Sequence, residues 1–350
     1  MTILKNRLFW PAVILVALLV VNMFTSNQFL TVRDGHLFGT LIDILRGSAP
    51  LLLVALGMTL VIATGGIDLS VGSVVAICGA LACWRISEQG DQNSVTGVLV
   101  AVALALGLAL LLGAWNGFLV AVVGIQPIIA TLILMVAGRG LAQLITDGQI
   151  ITINSSPYKL IGGGYLWTVP FAILVALAVT ALAVLLTRRT ALGMLIESVG
   201  GNAEASRLAG IHSRRITLMA YIVAGLCAGI AGLMISSNVS SADGNNAGLW
   251  YELDAILAVV IGGTSLAGGR FSIAGTVVGA LLIQTLTTTI YTTGIPPETT
   301  LLFKALVVTV VCLVQSPAFR AKVFHGRRRR PEPPPAGPTA TATEKVEVPA

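Results

Sequence analysis

The chain has 350 residues, 55% of them hydrophobic and only 10% charged, with a mean hydropathy of +0.91. Soluble domains carry charge on about a quarter of their positions, so this composition excludes an ordinary water-soluble globule. The formal net charge of +6 does not imply nucleic acid, because the basic residues sit at the ends of apolar runs and in the C-terminal tail, the membrane-protein pattern.

Apolar runs of bilayer length, about 17–25 residues, predict an all-α polytopic membrane protein with about ten transmembrane helices. The runs cover roughly 8–25, 49–64, 68–85, 96–114, 126–146, 166–187, 215–236, 252–266, 271–293 and 300–316, the second, eighth and tenth being short for a full crossing. Lys5 and Arg7 precede the first run and no small-residue cleavage site follows it, so it reads as a retained span. The chain then divides into an N-terminal segment 1–7, a membrane domain 8–316 containing a polar loop 188–214, and a basic, Pro-rich tail 317–350. That tail cannot bury apolar surface and is expected to be disordered. Its arginines suit anionic lipid headgroups or simply anchor the topology.

Charge sets the expected direction. With the N-terminus inside, fifteen of the 21 Lys and Arg fall on the cytoplasmic side: Lys5, Arg7, Arg188, Arg189, Arg207, Arg214, Arg215, Arg270, Arg320, Lys322, Arg327 to Arg330 and Lys345. Arg33, Arg46, Arg85 and Lys159 fall on the other side, and Arg139 and Lys304 within spans. The positive-inside rule favours this arrangement, with both termini cytoplasmic.

Two pseudo-repeated halves are suggested by an internal echo. Gly65-Gly66-Ile67-Asp68-Leu69-Ser70-Val71-Gly72 parallels Gly262-Gly263-Thr264-Ser265-Leu266-Ala267-Gly268-Gly269. Each follows an apolar run and precedes a small-residue-rich helix, which marks Gly65, Gly66, Gly262 and Gly263 as helix breaks of the kind transporters repeat. Mid-membrane breaks fit an inverted repeat, cytoplasmic turns a parallel one; the sequence fits both.

Catalytic chemistry is not written in the chain. No phosphate-binding Gly-x4-Gly-Lys-Ser/Thr loop occurs, so ATP is not expected to be held here. His36, His212 and His325 are isolated, and Cys78, Cys83, Cys227 and Cys312 lack metal or redox spacing and read as small apolar fillers. No catalytic residue, cofactor or metal is expected.

Ionisable residues in or beside spans cost free energy there and merit functional readings. Asp68 follows the first Gly-Gly break and precedes an expected helix start at Leu69, so it serves as an N-cap, lines a translocation path, or does both. Arg139 snorkels to an interface or pairs with a carboxylate such as Asp147. Glu252 and Asp254 open the eighth span, where a helix dipole favours acids, and belong either to that first turn or to an outer mouth. Lys304, near the start of the last span, is equally open. Among neutral polar residues, Asn116 beside Trp115, Gln126, Gln143, Gln284 and Thr287 to Thr289 suit a hydroxyl-rich cargo, although helix–helix hydrogen bonds explain them as well. Asp68, Asn116 and Gln284 are the candidate path residues.

The segment 197–214 differs in kind. Gly200-Gly201-Asn202 supplies a turn and an N-cap, Ala203 to Ala209 favours helix apart from Ser206, and Gly210 suits a C-terminal stop. The bland reading is an interfacial loop helix.

Glu204-Ala205-Ser206 followed by Gly210 resembles the Glu-Ala-Ala-x3-Gly loop of membrane subunits of binding-protein-dependent ABC importers, with Ser206 in place of the second Ala. Residues 55–72 (ALGMTLVIATGGIDLSVG) and 253–269 (LDAILAVVIGGTSLAGG) are similar to sugar permeases of the ribose/galactose type, the likeness running from about Leu41 to Ser316. Within them, Asn245 to Trp250 and Gly294-Ile295-Pro296-Pro297-Glu298 most resemble galactofuranose permeases. The resemblance implies a multi-pass subunit of the bacterial inner membrane that pairs with a second copy or a sister permease. It also implies a periplasmic sugar-binding protein and a cytoplasmic ATP-binding subunit, which would hold the nucleotide. Residues 197–211 would then be the coupling helix, with Glu204, Ala205, Arg207 and Gly210 meeting the ATPase. An ion-coupled secondary transporter is the competing expectation, supported only by Asp68 and Arg139. A membrane-embedded enzyme lacks any acid–base or metal constellation.

Overall fold

The computed structural model describes residues 8–26, 28–33, 35–294, 296 and 299–315. The expectations placed on 1–7, on the tail, and on Ile295, Pro297 and Glu298 lie outside the described residues.

Apolar composition dictates helices here, because in hydrocarbon every backbone N–H and C=O must be satisfied within its own segment. Ten helices alternate between two faces of a bundle: α1 (Phe9–Thr25), α2 (Thr40–Ala63), α3 (Val71–Ser87), α4 (Val95–Phe118), α5 (Pro127–Ile145), α7 (Phe171–Arg189), α10 (Ser213–Val239), α11 (Tyr251–Ile261), α12 (Ile273–Thr292) and α13 (Thr300–Gln315). Among the described residues six are long and apolar enough to cross a bilayer unaided: α2, α4 with the π-turn Leu119–Val123 that extends it, α5, α7, α10 and α12. Three short helices lie in connections, α6 (Ser156–Gly163), α8 (Leu192–Gly201) and α9 (Ala203–Leu208).

The expected second span is corrected. It begins at Thr40 rather than 49 and runs for 24 residues, because Asp43, Arg46 and Pro50, which interrupt the apolar run, are accommodated within the helix. Arg46, left outside the expected spans, therefore belongs to α2, and Arg85 stands in the last turn of α3, at the end of the expected third span. The eighth span is shorter than expected, only the 11 residues of α11.

The first face is laced by three two-stranded antiparallel ribbons. β1 (Thr31–Arg33) pairs with β2 (His36–Phe38), β4 (Tyr165–Leu166) with β5 (Val169–Pro170), and β3 (Ile150–Thr152) with β6 (Ser241–Asp243) in the register Ile150↔Asp243. The last ribbon ties the α5–α6 connection to the α10–α11 connection. Leu37 N–H donates to the Thr168 carbonyl, and Asn154 N–H to Gln92 Oε1, joining further loops on that face.

The second face holds residues 64–70, 124–126, 190–212 and 262–272. α2, α3 and α10 form the centre of the bundle, their buried positions rich in Ala and Gly so that backbones approach closely. Thr59 and Thr276 share a hydroxyl–hydroxyl bond of 2.7 Å between α2 and α12. Asn22 of α1 donates to Thr289 Oγ1 of α12 at 2.6 Å. The described cysteines Cys78, Cys83 and Cys227 are buried and free.

Candidate functional site

The two glycine breaks adopt one structure. α2 ends with Gly65 at φ +86°, its N–H donating to the Ile62 carbonyl (2.9 Å) while Gly66 N–H reaches Val61 (3.0 Å). α11 ends with Gly263 at φ +86°, its N–H on Val260 (2.9 Å) and Thr264 N–H on Val259 (3.2 Å). Both are Schellman stops, in which a left-handed residue lets two free carbonyls be satisfied. The equivalence corrects the expected alignment by one residue: Gly65 corresponds to Gly263, not Gly262. Asp68 then stands opposite Leu266. Both turns lie on the second face, after helices running the same way, so the echo is of the parallel kind.

Asp68 lies within the break, 2% exposed, and α3 starts at Val71 rather than Leu69. Its Oδ1 accepts from Ser70 N–H (2.9 Å) and Ser70 Oγ (2.6 Å), so it orders the entry to the helix without being the residue at the cap position. Asn116 of α4, 1% exposed, donates Nδ2 to Ser70 Oγ at 2.7 Å. Thr131 of α5 accepts from Leu69 N–H (3.1 Å), donates to the Pro127 carbonyl of its own helix (2.9 Å) and contacts the Ile67 carbonyl at 3.3 Å. Ser73 donates to the Ser70 carbonyl at 2.7 Å and contacts the Leu134 carbonyl at 3.2 Å. The break is thereby sewn to α4 and α5. Ser70, Ser73 and Thr131 carry no sequence signal as a group, since only the tertiary fold brings positions 60 residues apart together. Gln284 does not join them; it lies on α12 against Gly47 of α2.

Gly200 and Gly201, expected to form a turn, instead complete α8, and the chain breaks at Asn202 (φ −161°, ψ 102°). Asn202 caps α9, its Oδ1 accepting from Ala205 N–H at 2.9 Å. Gly210, at φ +85°, closes α9 with a third Schellman stop: its N–H donates to Arg207 (3.0 Å) and Ile211 N–H to Ser206 (2.9 Å). Glu204 and Arg207 point outward as a two-pronged ion pair at 3.1 and 2.6 Å. Hydrogen bonding and charge from Arg207 hold the Glu204 carboxyl below its ordinary value, and the Arg207 guanidinium is raised in turn. Ser206 faces inward and shares a 2.9 Å bond with Ser198 of α8, so the departure at this position serves packing between the two short helices.

These pieces converge. Gly200 abuts the Ala63 carbonyl at the end of α2, and that carbonyl accepts from Gly269 N–H at 3.0 Å. Gly268 packs on Gly65. One group of contacts thus links the α8–α9 pair to the first glycine break and to Gly268-Gly269, which follow the second. Beside it, a cavity of about 220 Å³ is lined by Gly65, Gly66, Val120, Ala203 and Arg214 among others. A larger one of about 790 Å³ runs under Arg207, Gly210, His212, Arg214 and Arg215.

Arg139 does not pair with Asp147 and reaches toward the first face instead. Its Nη1 donates to the carbonyls of Ala247 (2.6 Å) and Gly244 (3.4 Å). Asp254 pairs with Lys304 at 2.7 Å between α11 and α13, an ion pair that sequence reasoning left open at both ends. Among the described residues no cluster of His, Cys, Asp or Glu is placed to hold a metal.

An alternating bundle of apolar helices with a capped, outward-facing helix on one face defines a polytopic helical membrane protein of the transport-subunit kind. Residues 40–312 match the family described as branched-chain amino acid transport system / permease component, and the chain belongs to that family. It is 50% identical over 334 residues to the galactofuranose transporter permease protein YtfT of Escherichia coli, covering 93% of this chain and 96% of that one. It is 42% identical over 336 residues to the fructose import permease protein FruF of Bifidobacterium longum, covering 94% and 93%. Against the ribose import permease protein RbsC of Escherichia coli, identity is 38% over 309 residues, covering 86% and 92%. No solved structure shows significant similarity to the chain.

Proposed function

We propose that this chain is the membrane-spanning permease subunit of a binding-protein-dependent ABC importer for a monosaccharide, of the galactofuranose or ribose kind. It catalyses no reaction. ATP is bound and hydrolysed by a separate cytoplasmic subunit, a periplasmic sugar-binding protein delivers the cargo, and a second copy or sister permease completes the pore. The second face, with α8, α9 and the cluster Arg188, Arg189, Arg207, Arg214 and Arg215, is cytoplasmic, in keeping with the positive-inside rule.

The observation that carries the reading is the construction of α9. A six-residue helix is too short to persist in water on propensity alone, yet this one is capped at both ends and presents Glu204 and Arg207 to solvent while Ser206 fixes it to α8. Seated in a cleft of the ATPase, Glu204, Ala205, Arg207 and Gly210 would receive its movement. α8 passes that movement to the Ala63 carbonyl and so to the breaks at Gly65-Gly66 and Gly262-Gly263, which serve as hinges. Asp68 and Asn116 brace the first hinge from within.

The test is uptake of labelled galactofuranose, ribose and fructose by proteoliposomes holding the permease, its ATPase and the binding protein. Uptake is expected to require ATP and to be indifferent to proton and sodium ionophores. Uptake by the permease alone, driven by an ion gradient, overturns the reading in favour of a secondary transporter.

A further inference from the structure

The connection from α10 to α11 does not remain on the first face. After β6 it descends into the bundle: Gly244 packs on the Ala142 carbonyl of α5, Arg139 holds the carbonyls of Ala247 and Gly244, and Gly248 lies against the Gly72 carbonyl and Val75 in α3. Arg139 is six residues, or about 9 Å, inward from the end of α5 at Ile145. Gly72 belongs to the first turn of α3, fifteen residues and about 22 Å from its far end at Ser87. α11 therefore starts inside the bundle, and its 11 residues span about 16 Å, half the hydrocarbon thickness.

Irregular backbone at membrane depth is tolerated only where protein buries it or where it lines a water-filled cavity. Protein buries one side of this segment and leaves the other open. Gly244, Gly248 and Glu252 (3% exposed) face inward, whereas Asn245, Asn246, Leu249 and Trp250 (45% exposed) face out of the protomer. Carboxamides are costly to place against lipid tails. Trp250 also holds the left-handed conformation (φ +66°), strain of the sort that gathers at ligand clamps. Behind this surface Asn246 Nδ2 is fixed on Asp243 Oδ2 at 2.7 Å, and Glu252 Oε2 is buried without a hydrogen-bond partner at the start of α11.

We propose that Asn245, Asn246 and Trp250 line the aqueous path and contact the sugar below the first face, the amides pairing with hydroxyls and the indole stacking on the C–H face of the ring. Arg139 is the positioning residue that holds this segment at depth. The proposal rests on the sugar-permease reading and deepens it.

The test uses the full complex in proteoliposomes, in a Cys312→Ser background, since Cys78, Cys83 and Cys227 are buried. Asn245→Cys is expected to react with a small membrane-impermeant thiosulfonate, at a rate that changes between nucleotide-free and ATP-trapped complex. Trp250→Ala is expected to lower sugar uptake about tenfold, the scale of losing one aromatic contact with the ligand. It should also shift the uptake ratio among galactofuranose, ribose and fructose, while Trp250→Phe restores most of both. Arg139→Lys is expected to retain uptake better than Arg139→Gln. Water access is read without any sugar, so a complex that takes up none condemns the cargo assignment. An unreactive thiol in both states of a complex that does take up sugar, with the ratio unmoved in Trp250→Ala, overturns this proposal and marks the surface as covered by lipid or by a second copy.

Discussion

Asn202→Ala isolates the role of α9. The substitution deletes the Oδ1 that accepts from Ala205 N–H at 2.9 Å and leaves the rest of the membrane bundle untouched. Loss of an N-cap of this type costs about 0.5–2 kcal/mol, which lowers the ratio of ordered to frayed helix by about 2-fold to 30-fold. A longer helix would absorb that; six residues do not, because helices under about 12 residues are marginal without tertiary support. The solvent-exposed Glu204–Arg207 pair compensates little. In proteoliposomes with the ATPase and binding protein, sugar uptake per ATP hydrolysed should fall by a factor in that range. Asn202→Asp, which keeps the acceptor, should behave as the native chain, and the thermal unfolding midpoint of the bundle should not move. Full uptake by Asn202→Ala, with hydrogen exchange showing 203–209 unwound, would refute the idea that force enters through this helix.

Lys304→Met strands Asp254, whose side chain is 16% exposed, and should destabilise the detergent-solubilised protein by about 3–5 kcal/mol, while Lys304→Met with Asp254→Leu recovers most of the loss in the same thermal assay. Asp68→Ala leaves Ser70 N–H without its acceptor at a buried site; at about 1–3 kcal/mol per unsatisfied group, abundance and thermal midpoint should fall together with transport, and Asp68→Asn should lose less. Because Arg207 holds Glu204 below its ordinary 4.5, the pair's contribution is complete at neutral pH and disappears only as pH falls through that lowered value. Coupling in the native chain should therefore be flat above the ordinary carboxylate range, and an alkaline-side loss traced to Glu204 would contradict the pairing.

The helical class, the approximate spans and the two glycine stops were legible because each is local. Hydropathy reports a run of apolar residues, and a Gly-Gly after such a run reports a left-handed stop. The cap at Asn202 and the stop at Gly210 were legible for the same reason. What sequence obscured was depth. Asp43, Arg46 and Pro50 hid the first turns of α2, because hydropathy charges a polar residue the same whether it meets lipid or a neighbouring helix. The half-helix α11 passed for a short span, since Glu252 and Asp254 at a first turn look alike at the membrane surface and inside it. The partners of Arg139 are carbonyls of Gly244 and Ala247, which carry no side-chain signature at all.

The positions of the breaks constrain how such a subunit moves. A helix can pivot at a Schellman stop without losing ladder hydrogen bonds, because the left-handed glycine already closes the helix and the next residue starts afresh. The two glycine breaks lie on the face that carries α8 and α9; Gly200, Gly268 and Gly269 touch the end of α2, and the chain from Gly268 to Gly269 follows five residues after the stop of α11. If the proposed coupling holds, a displacement of α9 is applied through α8 to the end of α2 and, through Gly268-Gly269, to the chain that leaves α11. α2 is long and buried, and Thr59 near its stop is bonded to Thr276 of α12; α11 is only 11 residues, and its far end is held by the Asp254–Lys304 pair and by the segment that Arg139 grips. Of the two, α11 has fewer residues to shift and a polar, irregular connection at its other end. On the proposed coupling, the same push should move α11 more than α2, with the Asp254–Lys304 pair carrying α13 along, and deliver the motion near Trp250 and the two asparagines.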